Sequence, residues 1–316
     1  MPPQATSVII CTHNPRPDYL RRTLASLQAQ TVSTDQWELI VVDNASRERL
    51  ADSWDLSWHP RARHVREEQL GLTPARLRAI DETSSDLLIF VDDDNVLASD
   101  YLAEASSIFD TYPELGVYGA GVLAPDFESE PPQEITPQLG LLALRTVSSP
   151  RQSRNPADYN STPWGAGLCV RRSVAHSYSR LIPGVEIITI LDRRGAQLFS
   201  GGDDLFSWVA SSLGLAFGIF PQLKLTHLIG VSRVQQGYIL RLVHTHAFSS
   251  AVRHYVFDRL QLPPKRLLKY VRLPLHALKN GLFSMRCQLA WLRGETQARR
   301  FILEKQLKPM GPLDEA

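Results

Sequence analysis

Short apolar runs alternate with helix-period segments through the first 120 residues, and this alternation limits the fold more than any other feature of the chain. Ser7-Val8-Ile9-Ile10-Cys11 is β-branched and apolar on both faces, as a buried parallel strand requires. Pro15 and Pro17 end it, and Leu20, Leu24 and Leu27 follow at helical spacing. Trp37 to Val42 reads as a second strand ending at Asp43, and His64-Val65-Arg66 as a weaker third. Thr73-Pro74 reads as an N-cap with a first-turn proline, opening a helix to about Asp81. Leu87-Leu88-Ile89-Phe90-Val91 is the strongest strand and runs into Asp92-Asp93-Asp94. Ser99 then caps a helix carrying Leu102, Ala105, Ile108 and Phe109, before a strand at Gly116 to Ala120. Strands and helices in this order predict βαβ units and a mainly parallel sheet, with ligands beyond the carboxyl ends of the strands.

Carboxylates sit at those ends. Three adjacent aspartates repel one another, and a divalent cation with bound phosphates resolves the repulsion; hard oxygen ligands suit Mg²⁺ or Mn²⁺. The plain alternative is a solvated acidic turn whose aspartates cap a helix. Asp43 reads either as a cap or as an acceptor for a base or ribose. Arg76, in the first turn of the Thr73-Pro74 helix, faces a phosphate or lies on the surface.

Prolines at 125, 131, 132, 137, 150, 156 and 163 predict a long, partly mobile loop over 125–163, with a short helix near Leu139 to Leu144. Trp164 to Val170 reads as a strand, and Gly165-Ala166-Gly167 lets a ligand approach the backbone. Gly201-Gly202 precedes Asp203-Asp204 and a helix with Leu205, Trp208, Val209 and Leu213; a carboxylate at a helix N-terminus is held as an anion and is a candidate general base. His227 closes an apolar stretch from Phe217 to Leu228, either as a core residue or as a ligand; His244 and His246 do not make a metal site.

Composition excludes several classes. With 43% hydrophobic and 21% charged residues the chain is globular rather than disordered. No apolar run approaches the ~18–20 residues of a membrane span, and Met1-Pro2-Pro3-Gln4 shows no secretory signal. Cys11, Cys169 and Cys287 make no zinc spacing and no disulfide framework, consistent with a reducing cytoplasm. The net charge of +1 excludes a general nucleic-acid binder, but it hides a split: about −9 over residues 1–230 and about +10 over 231–316.

Taken in order, the segments Ser7 to Asn14, Glu38 to Ser46, Gly71 to Arg76, Phe90 to Asn95, Gly165 to Gly167 and Gly201 to Asp204 resemble family-2 glycosyltransferases, over about residues 5 to 230. The resemblance implies a GT-A fold, a Rossmann-like α/β sheet flanked by helices over 1–230. It also implies inverting transfer from a nucleotide-diphospho-sugar, with uridine the favoured base, in bacterial-type polysaccharide or glycolipid assembly. On this pattern Thr12 and Asp43 hold the nucleobase, with His13 and Asn14 in the same loop. Arg76 stands near the diphosphate, Asp93 touches ribose or sugar, and Gly165, Ala166 and Gly167 complete the nucleotide-sugar site. Asp94 is the expected ligand of Mn²⁺ or Mg²⁺, with Asp92 and with His227 as a third. Asp204 matches the expected general base, with Asp203 in the place of the usual Glu, and which of the two serves stays open. The first loop, Cys11 to Asn14, departs from the commoner proline–aromatic pattern. Two competing readings are a sugar-phosphate nucleotidylyltransferase, for which this loop is a poor match, and an inactive nucleotide-sugar-binding scaffold.

The remaining residues, 231–316, predict a helical, basic extension. Leu267, Val271, Leu275, Leu278, Leu282, Met285, Leu289 and Leu292 form an apolar stripe, with Lys265, Arg266, Lys269, Arg272, Lys279, Arg286 and Arg293 between them. Pro274 and Gly281 kink or divide it. This pattern suits peripheral association with the inner face of a membrane and a lipid-linked glycan acceptor; the competing reading is a helical hairpin covering the catalytic domain or forming a homodimer.

Overall fold

The structure, a computed structural model, describes residues 6–181, 202–257, 262–263 and 270–308. Met1 to Gln4, Gly201, Lys265, Arg266, Leu267 and Lys269 lie outside the described residues. The chain clusters into two units: residues 6–126, 143–181 and 202–228 fall in the first, and 127–142, 229–257 and 270–308 in the second. The second unit thus takes in 127–142 as well as described residues from 229 onward.

All ten described strands of the sheet join in one layer. β1 (Thr6–Thr12), β2 (Trp37–Asn44), β3 (Ala62–Glu67) and β4 (Leu87–Val91) pair in parallel in the spatial order β3-β2-β1-β4. Their apolar runs explain this: Val8 to Ile10, Leu39 to Val42 and Leu87 to Val91 are buried on both faces, as a sheet covered on both sides demands. Beyond β4 the sheet turns antiparallel through β9 (Leu168–Arg171) and β6 (Leu115–Phe127), then reaches β10 (Ala216–Ile229) and the short β5 (Asn95–Leu97). The sheet is therefore mixed.

Around it lie α1 (Pro17–Gln28), α2 (Leu72–Glu82), α3 (Tyr101–Thr111), α4 (Arg172–Leu181) and α5 (Gly202–Ser212). Pro17 opens α1 in its first turn, where a missing N–H costs nothing. Two expected caps are corrected. Gly71, at φ 147°, rather than Thr73 precedes α2, and Asp100 rather than Ser99 precedes α3.

The proline-rich stretch is more ordered than its composition predicts. It holds a 3₁₀ helix at Gln133–Leu142 and two short strands, β7 (Arg145–Thr146) on β6 and β8 (Arg151–Ser153) on β10. The strand expected from Trp164 begins only at Leu168, because Gly167 is left-handed at φ 71°.

In the second unit, α6 (Gln236–Val256), α7 (Leu273–Asn280) and α8 (Leu282–Glu304) follow one another. Gly281 at φ 87° divides α7 from α8, and Pro274 opens α7 rather than kinking it. Arg286 reaches Gln236 at 3.2 Å, Gly294 lies against the carbonyl of His244, and the rings of Phe301 and Phe248 are 5.5 Å apart. These paired positions rise together along both helices, so α6 and α8 form a parallel pair, while His276 against Ser284 and Tyr270 against Thr296 fold α7 back along α8. Phe283, Cys287, Leu292, Ala298 and Ile302 are buried on α8, a face that shares only Leu292 with the predicted apolar stripe. No described helix is long and apolar enough to cross a membrane.

Candidate functional site

Strand order fixes where a ligand can sit. The chain leaves β1 toward β2 on one side and returns to pair β4 on the other, so a crevice opens beyond the carboxyl ends of β1 and β4. β9 runs antiparallel beside β4, and its first residues therefore reach the same edge. Along that edge stand, in spatial order, Asp43 near the end of β2, Thr12 ending β1, Asp92 to Asp94 after β4 and Gly165 to Gly167 before β9.

The loops after β1 and β2 are stitched to each other. The Asn14 N–H donates to Ser46 Oγ at 2.9 Å, and the Arg47 N–H donates to Asn14 Oδ1 at 2.9 Å. His13 Nδ1 lies 2.7 Å from the Asn44 carbonyl oxygen. Asn14 takes φ 48°, a left-handed conformation that asparagine tolerates. Asn44 also accepts the Gly71 N–H at 2.8 Å, which ties the β2 loop to the start of α2.

Asp43 is buried. Its carboxylate accepts the N–H groups of Ser46 and Leu50, both at 3.1 Å, and pairs with Arg66 at 2.8 Å. Burial alone would raise its pKa; the hydrogen bonds outweigh it and hold the group below the usual carboxylate range. Oδ2 accepts both Leu50 and Arg66, while Oδ1 accepts the Ser46 N–H. Arg66 is a partner that sequence reasoning missed, although the parallel register sets it directly beside Asp43.

Arg76 is 2% exposed and lies under the site. Its Nη2 pairs with Asp203 Oδ1 at 2.5 Å, and the rings of Phe90 and Phe206 flank the guanidinium at 5.8 and 6.0 Å. Burial works against its charge, but Asp203 foremost, with Asp92 further off, reverses this and drives the pKa upward. The charge of Arg76 thus reaches the site through Asp203. The other oxygen of Asp203 accepts the Gly165 N–H at 3.0 Å, joining the helix carrying Asp203-Asp204 to the glycine turn. Cys11, close to Arg76 and Asp92, is half-buried, and desolvation pushes its thiol up to about 12.

Only glycine fits at position 165. A Cβ there would come within 2.7 Å of Asp203 Oδ2 and 2.8 Å of Arg76 Nη2. Gly165→Ala is expected to cost about 1–3 kcal/mol through this overpacking, read as a lowered melting temperature. An unchanged melting temperature would show that the ion pair re-forms without strain. Gly167 is fixed from the other side, its carbonyl accepting the Tyr101 hydroxyl at 2.6 Å.

Thr12 donates its hydroxyl hydrogen bond to Asp93. Asp94 points elsewhere. β5 and β10 pair with Asn95 opposite His227, and the Leu228 N–H donates to the Asp94 carbonyl at 2.8 Å. This register brings His227 Nε2 to 3.3 Å from Asp94 Oδ2. Among the described residues no group of three His, Cys, Asp or Glu side chains gathers to hold a metal by itself. Of the expected set, Asp94 and His227 come together, while Asp92 acts electrostatically on Arg76 and Cys11. The pair nevertheless fits a divalent ion. Neighbouring ligands on one octahedral ion with ~2.1 Å bonds lie roughly 3 Å apart, and such ions take their remaining ligands from phosphates and water.

The family model for glycosyl transferase family 2 matches residues 7–178. The chain belongs to glycosyl transferase family 2. The match ends before α5, so Asp203, Asp204 and His227 lie outside it. No curated protein matches the sequence. Among solved structures, this family 2 glycosyltransferase is similar in fold to S. aureus TarS 1-349, with TM-score 0.50, 14% identity, and coverage of 96% of this chain and 92% of that one. It is also similar to the mannosyltransferase PcManGT from Pyrobaculum calidifontis, in complex with GDP-Man and Mn²⁺, with TM-score 0.54, 18% identity and coverage of 95% and 79%. GalNAc-T7 with UDP, GalNAc and Mn²⁺ matches with TM-score 0.52 and 16% identity, over 96% of this chain and 58% of that chain.

Proposed function

We propose that this family 2 glycosyltransferase moves a sugar from a nucleotide-diphospho-sugar, a UDP-sugar in first place, to a hydroxyl of a glycan or lipid-linked glycan, inverting the anomeric centre. The observation that carries the reading is the division of labour at one sheet edge. Stitched loops hold Thr12, His13, Asn14 and Asp43, an acid–histidine pair stands at Asp94 and His227, and Asp203 is tied down beside Asp204. The ligands named for the similar structures, UDP and UDP-GlcNAc with TarS and GDP-Man with PcManGT, support the donor class and leave the base to experiment.

In this reading the β1 and β2 loops seat the nucleoside, and Asp93, steadied by Thr12, faces the ribose or sugar. Asp94 and His227 would hold Mn²⁺ or Mg²⁺, which would supply charge neutralisation to the departing diphosphate. Asp204 takes the proton of the acceptor hydroxyl while that oxygen bonds to the anomeric carbon. The bond from that carbon to the diphosphate oxygen breaks, and the nucleoside diphosphate leaves with its electron pair. Gly165 to Gly167 shape the floor on which the sugar lies.

A panel of UDP-, GDP- and dTDP-sugars with Mn²⁺, Mg²⁺ or EDTA tests this by released nucleoside diphosphate. Metal-dependent release from one donor supports the proposal and names the donor. Neither release from any donor nor metal-dependent binding of a nucleoside diphosphate overturns it in favour of a scaffold. Asp94→Ala is expected to weaken metal-dependent donor binding by at least roughly tenfold. An unchanged metal titration would remove Asp94 from the ligand set.

A further inference from the structure

The apolar stripe of the basic extension is used only in part. Leu292 is buried on α8, but α7 buries none of its residues, and Val271, Leu275, Leu278 and Leu282 are 76, 68, 86 and 72% exposed. Leu275 and Leu278 share one side of α7, while Val271 stands just before the helix and Leu282 just after Gly281. Isolated exposed leucines are ordinary; four within twelve residues on and beside one helix mark an interaction surface.

The charge around this surface indicates what covers it. Arg272, Lys279 and Arg286 are all exposed beside it. From Arg259 to Gly294 the sequence holds eight Lys and Arg and no Asp or Glu. A second copy of the same face would bring like charges together. An anionic bilayer offers both an apolar interior for the leucines and negative headgroups for the cations.

We infer that α7 and its flanks form a reversible docking site for an anionic lipid surface, with Leu275 and Leu278 inserted and Arg272, Lys279 and Arg286 at the headgroups. This inference stands on the second unit alone and is independent of how the transfer site is read.

The full chain would be sedimented with vesicles of phosphatidylcholine alone or phosphatidylcholine with phosphatidylglycerol. Wild-type protein is expected in the pellet with anionic vesicles and mainly in the supernatant with neutral ones, and added salt should release it. Leu275→Ser with Leu278→Ser is expected to weaken binding more than about tenfold, and Lys279→Glu at least roughly fivefold by exchanging an attractive for a repulsive charge. Because α7 buries no side chain, these variants should melt with wild type, and a melt would confirm folding. Equal partition of wild type and the double serine variant would overturn the inference. So would wild type that ignores vesicles and forms a dimer that the serine variant loses, which assigns the surface to a second copy.

Discussion

Asp204→Asn is expected to lower sugar transfer by about 10²–10⁴-fold, the usual contribution of a general base, while donor affinity stays close to wild type. The structure separates the two neighbouring carboxylates. Asp203 has one oxygen on Arg76 and the other on the Gly165 N–H. Successive helix residues point ~100° apart, so Asp204 faces a different direction from Asp203. It stands in the first turn of α5, where the helix N-terminus favours the ionised form. Asparagine keeps the shape and cannot accept the proton. Initial rates with donor and acceptor, together with titration by the nucleoside diphosphate, separate chemistry from binding. Near-normal turnover would remove Asp204 from the role and return the question to Asp203.

Arg76→Met should lower stability by about 3 kcal/mol, the lower end of the range for breaking a buried ion pair. For a chain of this size that is a melting temperature roughly 6–12 °C lower. Methionine fills the space between Phe90 and Phe206 but removes the charge that pairs with Asp203 at 2.5 Å. The Asp203 side chain is 32% exposed, so water takes up part of its uncompensated charge, which is why the lower end applies. Adding Asp203→Asn removes the stranded charge, and the double variant should recover part of the loss, a coupling that a double-mutant cycle reads directly. Single-variant melting indistinguishable from wild type would show that the pair contributes nothing net.

Much of the parallel half was legible because it rests on local patterns. Val8 to Ile10, Leu39 to Val42 and Leu87 to Val91 could only be buried strands, and the aspartates at their ends located the site edge. What could not be read depended on long-range pairing. Asn95–Leu97 is three residues long and carries no strand signal of its own; it is a strand because β10 binds it. Without it His227 had no visible link to Asp94. Arg76 looked like a phosphate-facing cation, because nothing local shows that Asp203, more than a hundred residues away, neutralises it from above. Arg66 was passed over for the same reason. Arg145–Thr146 and Arg151–Ser153 were hidden by the prolines around them, since their order comes from β6 and β10 rather than from propensity. In the basic extension the covered face of α8, with Phe283, Cys287, Ala298 and Ile302, is not the predicted stripe, because α6, whose packing on α8 the spacing alone does not reveal, decides which face is buried.

The short β5–β10 ladder has one further consequence. Side chains alternate across a strand, so a slip of a single residue between these two segments would turn the imidazole of His227 to the opposite face of the sheet. No change in residue type would be needed to separate it from Asp94. An insertion or deletion in the turn from Asp92 to Asn95 would therefore part the pair. That turn contrasts with the exposed loops between other strands, where added length costs little.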